Sequence, residues 1–300
     1  MKRALAVVLI AGMAACSSGP DVADPAGSLA SSVEPSPSPA PSPSPEASKQ
    51  PAEGNVSTVT AVTRKLRRAD RALDAALTSW LGTAKGRPDR ELLVLGLDEQ
   101  NLMRRLIKKV PLGNKVLRRL EGPLALETRR NLKAGRGLRA LTTPIEPPVR
   151  MKTKRPASPN ELLGFYKKGR RRFGIPWTIL ASVNFVESKF GRLNGPSSAG
   201  ARGPMQFIPS TWDAYGRGDI MDPHDSIMAA ARYLRASGAP ARMRDALYAY
   251  NHSTAYVNAI LLYARQMERN IKNYYAYYLW QVFVRTTEGD VQLTGPGSGD

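Results

Sequence analysis

The spacing of apolar residues constrains the fold of this chain more than any other feature. Over residues 156–286, apolar side chains recur every three or four positions in segments that begin or end at Gly and Pro. Ser158 predicts the start of one such helix, with Pro159 in its first turn and Glu161 three residues further on. No stretch alternates apolar and polar residues over the length of a strand. The sequence therefore predicts a mainly α-helical fold.

One of these helices carries an acid among residues suited to a core. In "ILASVNFVESKFGR", which begins at Ile179, the helical spacing puts Leu180, Val183, Glu187 and Phe190 on one stripe. An apolar setting disfavours the carboxylate anion, raises the pKa and lets the group keep a proton near neutrality, as a general acid must. The same pattern also fits a boundary glutamate whose carboxylate reaches solvent or caps a backbone amide.

The N-terminus predicts export. "MKRALAVVLIAGMAAC" has a basic start and an apolar run over 4–15 that is too short to span a bilayer comfortably. Cys16 follows Met-Ala-Ala, which resembles a bacterial lipobox and predicts a lipoprotein signal peptide over 1–16 with Cys16 lipidated. Ordinary cleavage near Ala14 or Ala15 with an incidental cysteine is the alternative. A single cysteine excludes an intramolecular disulfide.

The rest of the chain divides by composition. Residues 17–55 contain "EPSPSPAPSPSPEASKQPAEG", a proline and serine alternation that has little to bury and predicts an extended tether. Residues 56–150 predict a basic helical arm or small bundle, which precedes the 156–286 domain. Its three predicted helices cover about 57–84, 88–109 and 114–139. Residues 287–300 are predicted to be a flexible tail.

Positive charge concentrates in the helical arm. The chain has a formal net charge of +19, and residues 56–155 hold 24 Lys and Arg against 9 Asp and Glu. Export argues against nucleic acid as the partner, whereas lipid headgroups, teichoic-type polymers and wall-peptide carboxylates are polyanions met outside the membrane. The arm either packs on the next domain or binds such wall polyanions. The same sequence pattern also fits charges that only solvate helix faces.

Three short blocks, in fixed order, resemble the soluble lytic transglycosylase (SLT) type of lysozyme-like domain. They are Glu187-Ser188, Gly203-Pro204-Met205-Gln206 and Ala249-Tyr250-Asn251. The extended forms "GPMQFIPSTW" and "AARYL" are similar to lytic murein transglycosylases of actinobacterial type. The resemblance covers the 156–286 region and leaves the N-terminal half unassigned.

The resemblance implies a peptidoglycan lytic transglycosylase that cleaves the MurNAc–GlcNAc bond, with Glu187 as catalytic acid and then base. It also implies a set of substrate-binding residues. They are Ser188, Met205, Gln206, Phe207, Tyr250 and Asn251. The Tyr250 hydroxyl is expected to steer Glu187, although without the resemblance Tyr250 reads as a core aromatic. The aromatic stretch "NYYAYYLWQVFV" is expected to close the core, with stacking on sugars as the alternative.

A second catalytic carboxylate is not evident near Glu187. Most glycosidases use two, and the nearby acids are Asp213, Asp219, Asp222 and Asp225. Asp222 and Asp225 suit turn and N-cap positions. By the resemblance, the acetamido group of the substrate assists departure and its 6-hydroxyl closes a 1,6-anhydro ring, so a single acid suffices. A hydrolytic muramidase and a non-catalytic wall-binding protein are the alternatives.

The remaining expectations concern cofactors, partners and location. His224 and His252 suggest no metal cluster, and no motif suggests a cofactor. The implied partners are peptidoglycan glycan strands and the membrane, the latter through an N-terminal lipid. The predicted location is the outer face of the cell membrane, facing the wall, or outside the cell if Cys16 is not lipidated.

Overall fold

The computed structural model of the protein describes residues 53–83 and 86–298. The predicted signal peptide, Cys16 and the predicted tether up to residue 52 therefore lie outside the described residues. Within the described ranges, no helix combines the length and the apolar character needed to cross a membrane. The first helix begins at Glu53, so the last three residues assigned to the tether are helical.

Four helices form the N-terminal helical arm. They are α1 (Glu53–Thr83), α2 (Arg90–Lys108), α3 (Val110–Leu117) and α4 (Gly122–Ala140). The single helix predicted over 114–139 is wrong, because the chain is interrupted between α3 and α4. Gly122 has a φ of +60°, at which a right-handed helix cannot continue. Pro123 follows in the first turn of α4, where its missing N–H costs nothing.

Seven helices and one hairpin make up the rest of the described chain. They are α5 (Pro159–Phe173), α6 (Trp177–Ser188), α7 (Pro209–Tyr215), α8 (Pro223–Ala236), α9 (Met243–Tyr250), α10 (Thr254–Arg269), α11 (Lys272–Leu279), β1 (Phe283–Thr286) and β2 (Gly289–Gln292). The mainly helical prediction is confirmed.

Local capping explains where these helices begin. Ser158 and Glu161 form the predicted capping box at the start of α5, each side chain bonding the backbone N–H of the other residue. Asp222 accepts a hydrogen bond from the Asp225 N–H at 2.9 Å and so caps α8, as its sequence position indicated. Each of these two helix starts depends on contacts within four residues of sequence, which is why the sequence predicted them.

The C-terminal hairpin differs from the flexible tail predicted for residues 287–300. Strand β2 pairs antiparallel with β1, with Val284 opposite Val291, and Gly289 at φ +137° makes the turn. Asp290 fixes the hairpin to the arm through ion pairs with Arg104 at 2.7 Å and with Arg139 at 3.3 Å. These partners lie far away in sequence, so the local pattern could not reveal them.

The helical arm packs on the following domain and shares one hydrophobic core with it. Polar contacts bind the two together: the Gln100 side chain pairs with the Gln281 backbone at 2.8 and 2.9 Å. Asn131 of α4 accepts from Gln266 at 2.9 Å and from Tyr277 at 2.8 Å. Of the two roles left open for the arm, packing is therefore observed, and α4 lies alongside α10.

Candidate active site

The site is built on α6, a helix that is buried along almost its whole length. Aromatic residues of α10 and α11 enclose it, with Phe185 stacked on Tyr277 and edge-on to Tyr263. Glu187, in the last turn, is only 3% exposed. The expectation that this carboxyl lies on the buried face is met by the structure, and a boundary glutamate in solvent is excluded.

Two polar side chains of α6 fix the neighbouring loop. Asn184 donates to the Pro204 carbonyl at 2.7 Å, and the Ser188 hydroxyl donates to the same oxygen at 2.5 Å. Tyr166 holds Asn184 from behind through a 2.6 Å hydrogen bond. Ser188 also accepts from the Gly191 N–H at 2.8 Å. Ser188 is thus buried and committed to backbone contacts, which fasten the 203–206 loop beside the end of the helix.

The loop itself is a tight turn closed by backbone hydrogen bonds. The N–H of Arg202 donates to the Phe207 carbonyl at 2.8 Å, and the Phe207 N–H returns the bond at 2.9 Å. Gly203 has a φ of +75°, and a Cβ there would overlap the Ile220 carbonyl oxygen. Only glycine fits such a position. Gln206 adopts φ +49°, an uncommon conformation for a residue with a side chain.

A tyrosine that the sequence analysis missed contacts the acid. The Tyr256 hydroxyl donates to Glu187 Oε1 at 2.7 Å, and both side chains are buried. The expected contact from Tyr250 is not made; its hydroxyl donates to the Met205 carbonyl at 2.6 Å. The two tyrosines contact different groups because they lie on different helices. Tyr250 is the last residue of α9, whereas Tyr256 lies in the first turn of α10, the helix that Ser253 caps. Tyr250 therefore holds the loop, and Tyr256 holds the acid.

Burial raises the pKa of Glu187 to about 8. The hydrogen bond from Tyr256 and the positive charge of Lys189 act in the opposite direction, but more weakly. Lys189 is itself desolvated, and burial lowers its pKa to about 8. No carboxylate of the described chain contributes to the pKa shift of Glu187. The acid therefore keeps its proton at neutral pH and stands without an acidic partner.

The other predicted substrate-binding residues surround this centre at different depths. Met205 is fully buried and Phe207 packs between Tyr250 and Trp212, so these side chains shape the loop. Asn251, the C-cap that follows α9, is also buried. Gln206 donates from its amide to the Gly203 carbonyl at 3.0 Å.

The Gln206 side chain has one polar atom without a hydrogen-bond partner among the described residues. Its amide oxygen is buried and accepts no hydrogen bond from the residues that the structure describes, although the residue lines a small pocket with Phe207, Thr211, Tyr233 and Tyr250. A buried acceptor without a donor is costly unless a ligand supplies one.

Three of the four acids considered as a second catalytic group form hydrogen bonds elsewhere. Asp219 accepts from the Met221 N–H at 2.8 Å, and Asp222 caps α8. Asp225 bonds the His224 ring at 2.9 Å. Asp213 is exposed on α7.

His224 lies within a small polar cluster that the sequence did not suggest. The structure brings single ligand atoms of Asp222, His224 and Asp225 within 4.8 Å of one another, close enough to hold a metal ion. Lys168 contacts the other ring nitrogen of His224 at 2.8 Å. The contacts among these side chains and the α8 N-terminus account for the grouping, and the expectation of no metal site stays a prediction.

The aromatic stretch of α11 closes the core, as expected. Tyr274 donates to the Pro159 carbonyl at 2.7 Å and Tyr278 to the Ala157 carbonyl at 2.9 Å. Trp280 donates to Glu99 of the arm at 2.7 Å. These rings are buried against the arm and α5, so they do not offer a sugar-stacking face.

Comparison with known proteins shows what the stretch around this site is similar to. Residues 165–274 match the family model described as Transglycosylase SLT domain. This stretch runs from α5 into α11 and contains Glu187, the 203–206 loop and both tyrosines. The resemblance to SLT transglycosylases is confirmed, while the actinobacterial lipoprotein type stays a prediction.

Two curated relatives are each similar to about a third of the chain. One is the membrane-bound lytic murein transglycosylase F of Thiobacillus denitrificans, 31% identical over 112 residues that cover 35% of this chain and 24% of the relative. The other is the protein of the same name from Methylobacillus flagellatus, 30% identical over 105 residues that cover 32% and 22%. The matched stretch spans about a quarter of the length of these relatives. No solved structure matches the chain.

Proposed function

We propose that this protein is a peptidoglycan lytic transglycosylase that cleaves the MurNAc–GlcNAc bond and leaves 1,6-anhydroMurNAc ends. The observation that carries the proposal is Glu187, a buried carboxyl whose pKa is raised to about 8 and which is oriented by Tyr256. A group of this kind is protonated at neutral pH and can donate to a glycosidic oxygen. The SLT match and the names of the relatives support the choice of glycan.

The proposed reaction uses Glu187 twice. In the first step the carboxyl gives its proton to the glycosidic oxygen as the bond to the anomeric carbon breaks, and the acetamido oxygen of the substrate takes over that carbon. In the second step the carboxylate removes the proton from the 6-hydroxyl, whose oxygen displaces the acetamido oxygen and closes the anhydro ring. Tyr256 stabilises the carboxylate between the steps, because a hydroxyl donor favours the charged form.

The isolation of Glu187 favours this route over hydrolysis. An inverting hydrolase needs a second carboxylate to activate water, and a retaining one needs it as nucleophile. Among the described residues no carboxylate perturbs Glu187, and Asp219, Asp222 and Asp225 bond to other groups. A muramidase therefore remains the second candidate. A non-catalytic wall-binding protein is disfavoured, because a buried protonated acid has no use in a surface that only grips glycan.

We further propose that the Gln206 amide oxygen accepts a hydrogen bond from the substrate. Its buried position and its lack of a donor support this assignment, and an N-acetyl N–H or a sugar hydroxyl would supply the donor. Four of the other predicted residues would then support the groove by holding the loop, rather than by direct recognition: Ser188, Met205, Phe207 and Tyr250. Asn251 is also proposed to bind the substrate.

The proposed location is the outer face of the cell membrane. A lipid on Cys16 would anchor the protein and the proline-rich segment would carry the domain toward the wall, with glycan strands as partner. Wall polyanions at the basic arm are a further proposed partner, supported by its charge.

Replacement of the acid tests the function. Purified protein with Glu187→Gln should release soluble muropeptides from peptidoglycan at least about 1,000-fold more slowly than wild type, since the amide cannot donate the proton. The matched control is Glu268→Gln, which makes the same substitution at an exposed position on α10 and should leave the rate unchanged. Equal rates for Glu187→Gln and wild type would refute the proposal.

A further inference from the structure

A second concave site lies behind the end of α6. Its cavity measures about 430 Å³, a size typical of small-ligand sites. It is bounded by the segment before α2, by residues 153–156 and by the end of the chain after β2. Four of its lining residues are cations: Arg87, Lys154, Arg155 and Arg192. Among the described residues, no Asp or Glu lines it.

Arg192 is the buried member of this set, with 4% exposure. Its guanidinium donates to the Tyr278 carbonyl at 2.8 Å and to the Lys189 carbonyl at 3.0 Å, and lies 4.8 Å from the centre of the Tyr278 ring. In the part of the chain that the structure describes, no carboxylate pairs with it. Burial lowers its pKa to about 10, so it stays charged at neutral pH. A buried charge that has only neutral partners is destabilising unless an opposite charge reaches it.

Two of the other three cations, Arg87 and Lys154, are also held by neutral groups. Arg87 donates to the Pro156 carbonyl at 2.6 Å, and Lys154 to the Met221 carbonyl at 3.3 Å. Arg155 is exposed at the rim. These contacts fix the positions of Arg87 and Lys154 without neutralising their charge. Like charges gathered around a concave, partly apolar surface create a strong attraction for an anion.

We propose that this cavity binds the free carboxylate of a short peptide. An arginine fork matches the two oxygens of a carboxylate or a phosphate. The remaining wall favours the peptide, because Pro88, Leu93 and Pro156 offer apolar contacts beside the cations. A phosphate polymer would instead call for an extended basic track.

The position of the cavity suggests which peptide it serves. Arg192 bonds to the Lys189 carbonyl, two residues beyond Glu187, so both sites are built on the same helix end. We infer that the peptide is attached to the glycan substrate, and this part rests on the proposed function. The binding of a peptide to the cavity does not rest on it, because binding can be measured without any glycan cleavage.

The test is a titration of the protein followed by NMR chemical shifts, with three probes at matched ionic strength. The first probe is N-acetyl-Ala-Ala with a free carboxylate, the second is the same dipeptide as its C-terminal amide, and the third is inorganic phosphate. We expect saturable binding of the acid and at least about tenfold weaker binding of the amide, the loss typical of one charge-assisted hydrogen bond. Equal binding of acid and amide, or no saturable binding of the acid, overturns the proposal. Saturable binding of phosphate alone overturns the peptide and assigns the cavity to phosphate.

Variants connect the binding to the cavity. Arg192→Lys keeps the charge but loses the fork and should weaken binding of the acid about tenfold. Arg155→Gln changes an exposed rim residue, so it should fold normally, and it should weaken binding by a smaller factor. Arg265→Gln, an exposed charge change on α10, is the control and should bind as wild type. If Arg192→Lys does not fold, the Arg155→Gln result decides: binding equal to that of Arg265→Gln contradicts the proposal.

Discussion

Removing one hydroxyl separates the roles of the two site tyrosines. Tyr256→Phe deletes the 2.7 Å hydrogen bond to Glu187 and leaves the ring in place. A hydrogen bond to a charged group contributes about 1.5 to 3 kcal/mol. Because this bond favours the carboxylate, its loss raises the pKa of Glu187 further. At about 1.4 kcal/mol per pH unit, the change corresponds to about 1 to 2 pH units.

The assay is the rate of muropeptide release as a function of pH. In wild type the rate should fall as pH rises through the pKa of Glu187, at about 8, because the acid form is lost. In Tyr256→Phe this alkaline limb should move to higher pH by about 1 to 2 pH units, with a lower maximum rate because the carboxylate intermediate is less stable.

Tyr250→Phe is the matched control. It also removes one buried hydroxyl, but that hydroxyl bonds the Met205 carbonyl. Its alkaline limb should stay where the wild-type limb lies, even if the rate falls through a looser loop. A displaced limb in Tyr250→Phe together with an unmoved limb in Tyr256→Phe would refute the assignment.

Three further predictions concern stability and location. Because its pKa is raised, Glu187 holds a proton in the folded state that the unfolded state releases between about pH 4.5 and 8. The free energy of unfolding should therefore fall by up to about 4 kcal/mol over that window. Urea unfolding at pH 5 and 8 should show a smaller fall for Glu187→Gln than for wild type, and an equal fall would contradict the burial argument. Gly203→Ala should lower the free energy of unfolding by at least about 1 kcal/mol, because the position has a positive φ and a Cβ would overlap the Ile220 carbonyl. Gly164→Ala, on α5 with open space around it, should instead raise the free energy of unfolding by about 0.5 to 1 kcal/mol. The same urea assay measures both, and equal effects would be inconsistent with the loop geometry. Cys16→Ser should move the protein from the membrane fraction to the soluble fraction in a fractionated host, and unchanged membrane association would rule out the lipid anchor.

The parts of the fold that the sequence predicted are those encoded locally. The capping box at Ser158 and the N-cap at Asp222 lie within one helical turn of the groups they bond, so sequence spacing was sufficient. The apolar stripe around Glu187 likewise predicted its burial. The break at Gly122 was missed because the apolar pattern continues across it, although Gly122-Pro123 is a turn signal.

The parts that it could not predict depend on contacts between distant segments. Tyr256 is 69 residues from Glu187, and only the packing of α10 on α6 brings them together. Tyr250 lies within the sequence motif, whereas the tyrosine that bonds Glu187 lies six residues later. A search for a second tyrosine just inside the next helix could have found it. Arg192 lies five residues after Glu187 in the sequence. That no carboxylate of the described chain pairs with it depends on the fold, so the sequence could not predict it.

The most direct measurement is the mass of the products released from purified peptidoglycan by the wild-type protein. A transglycosylase with Glu187 as its single catalytic carboxyl predicts muropeptides one water lighter than the hydrolysed forms, carrying 1,6-anhydroMurNAc ends. Products with reducing ends would contradict the account, because water would then have to be activated by a base that the described residues around Glu187 do not supply.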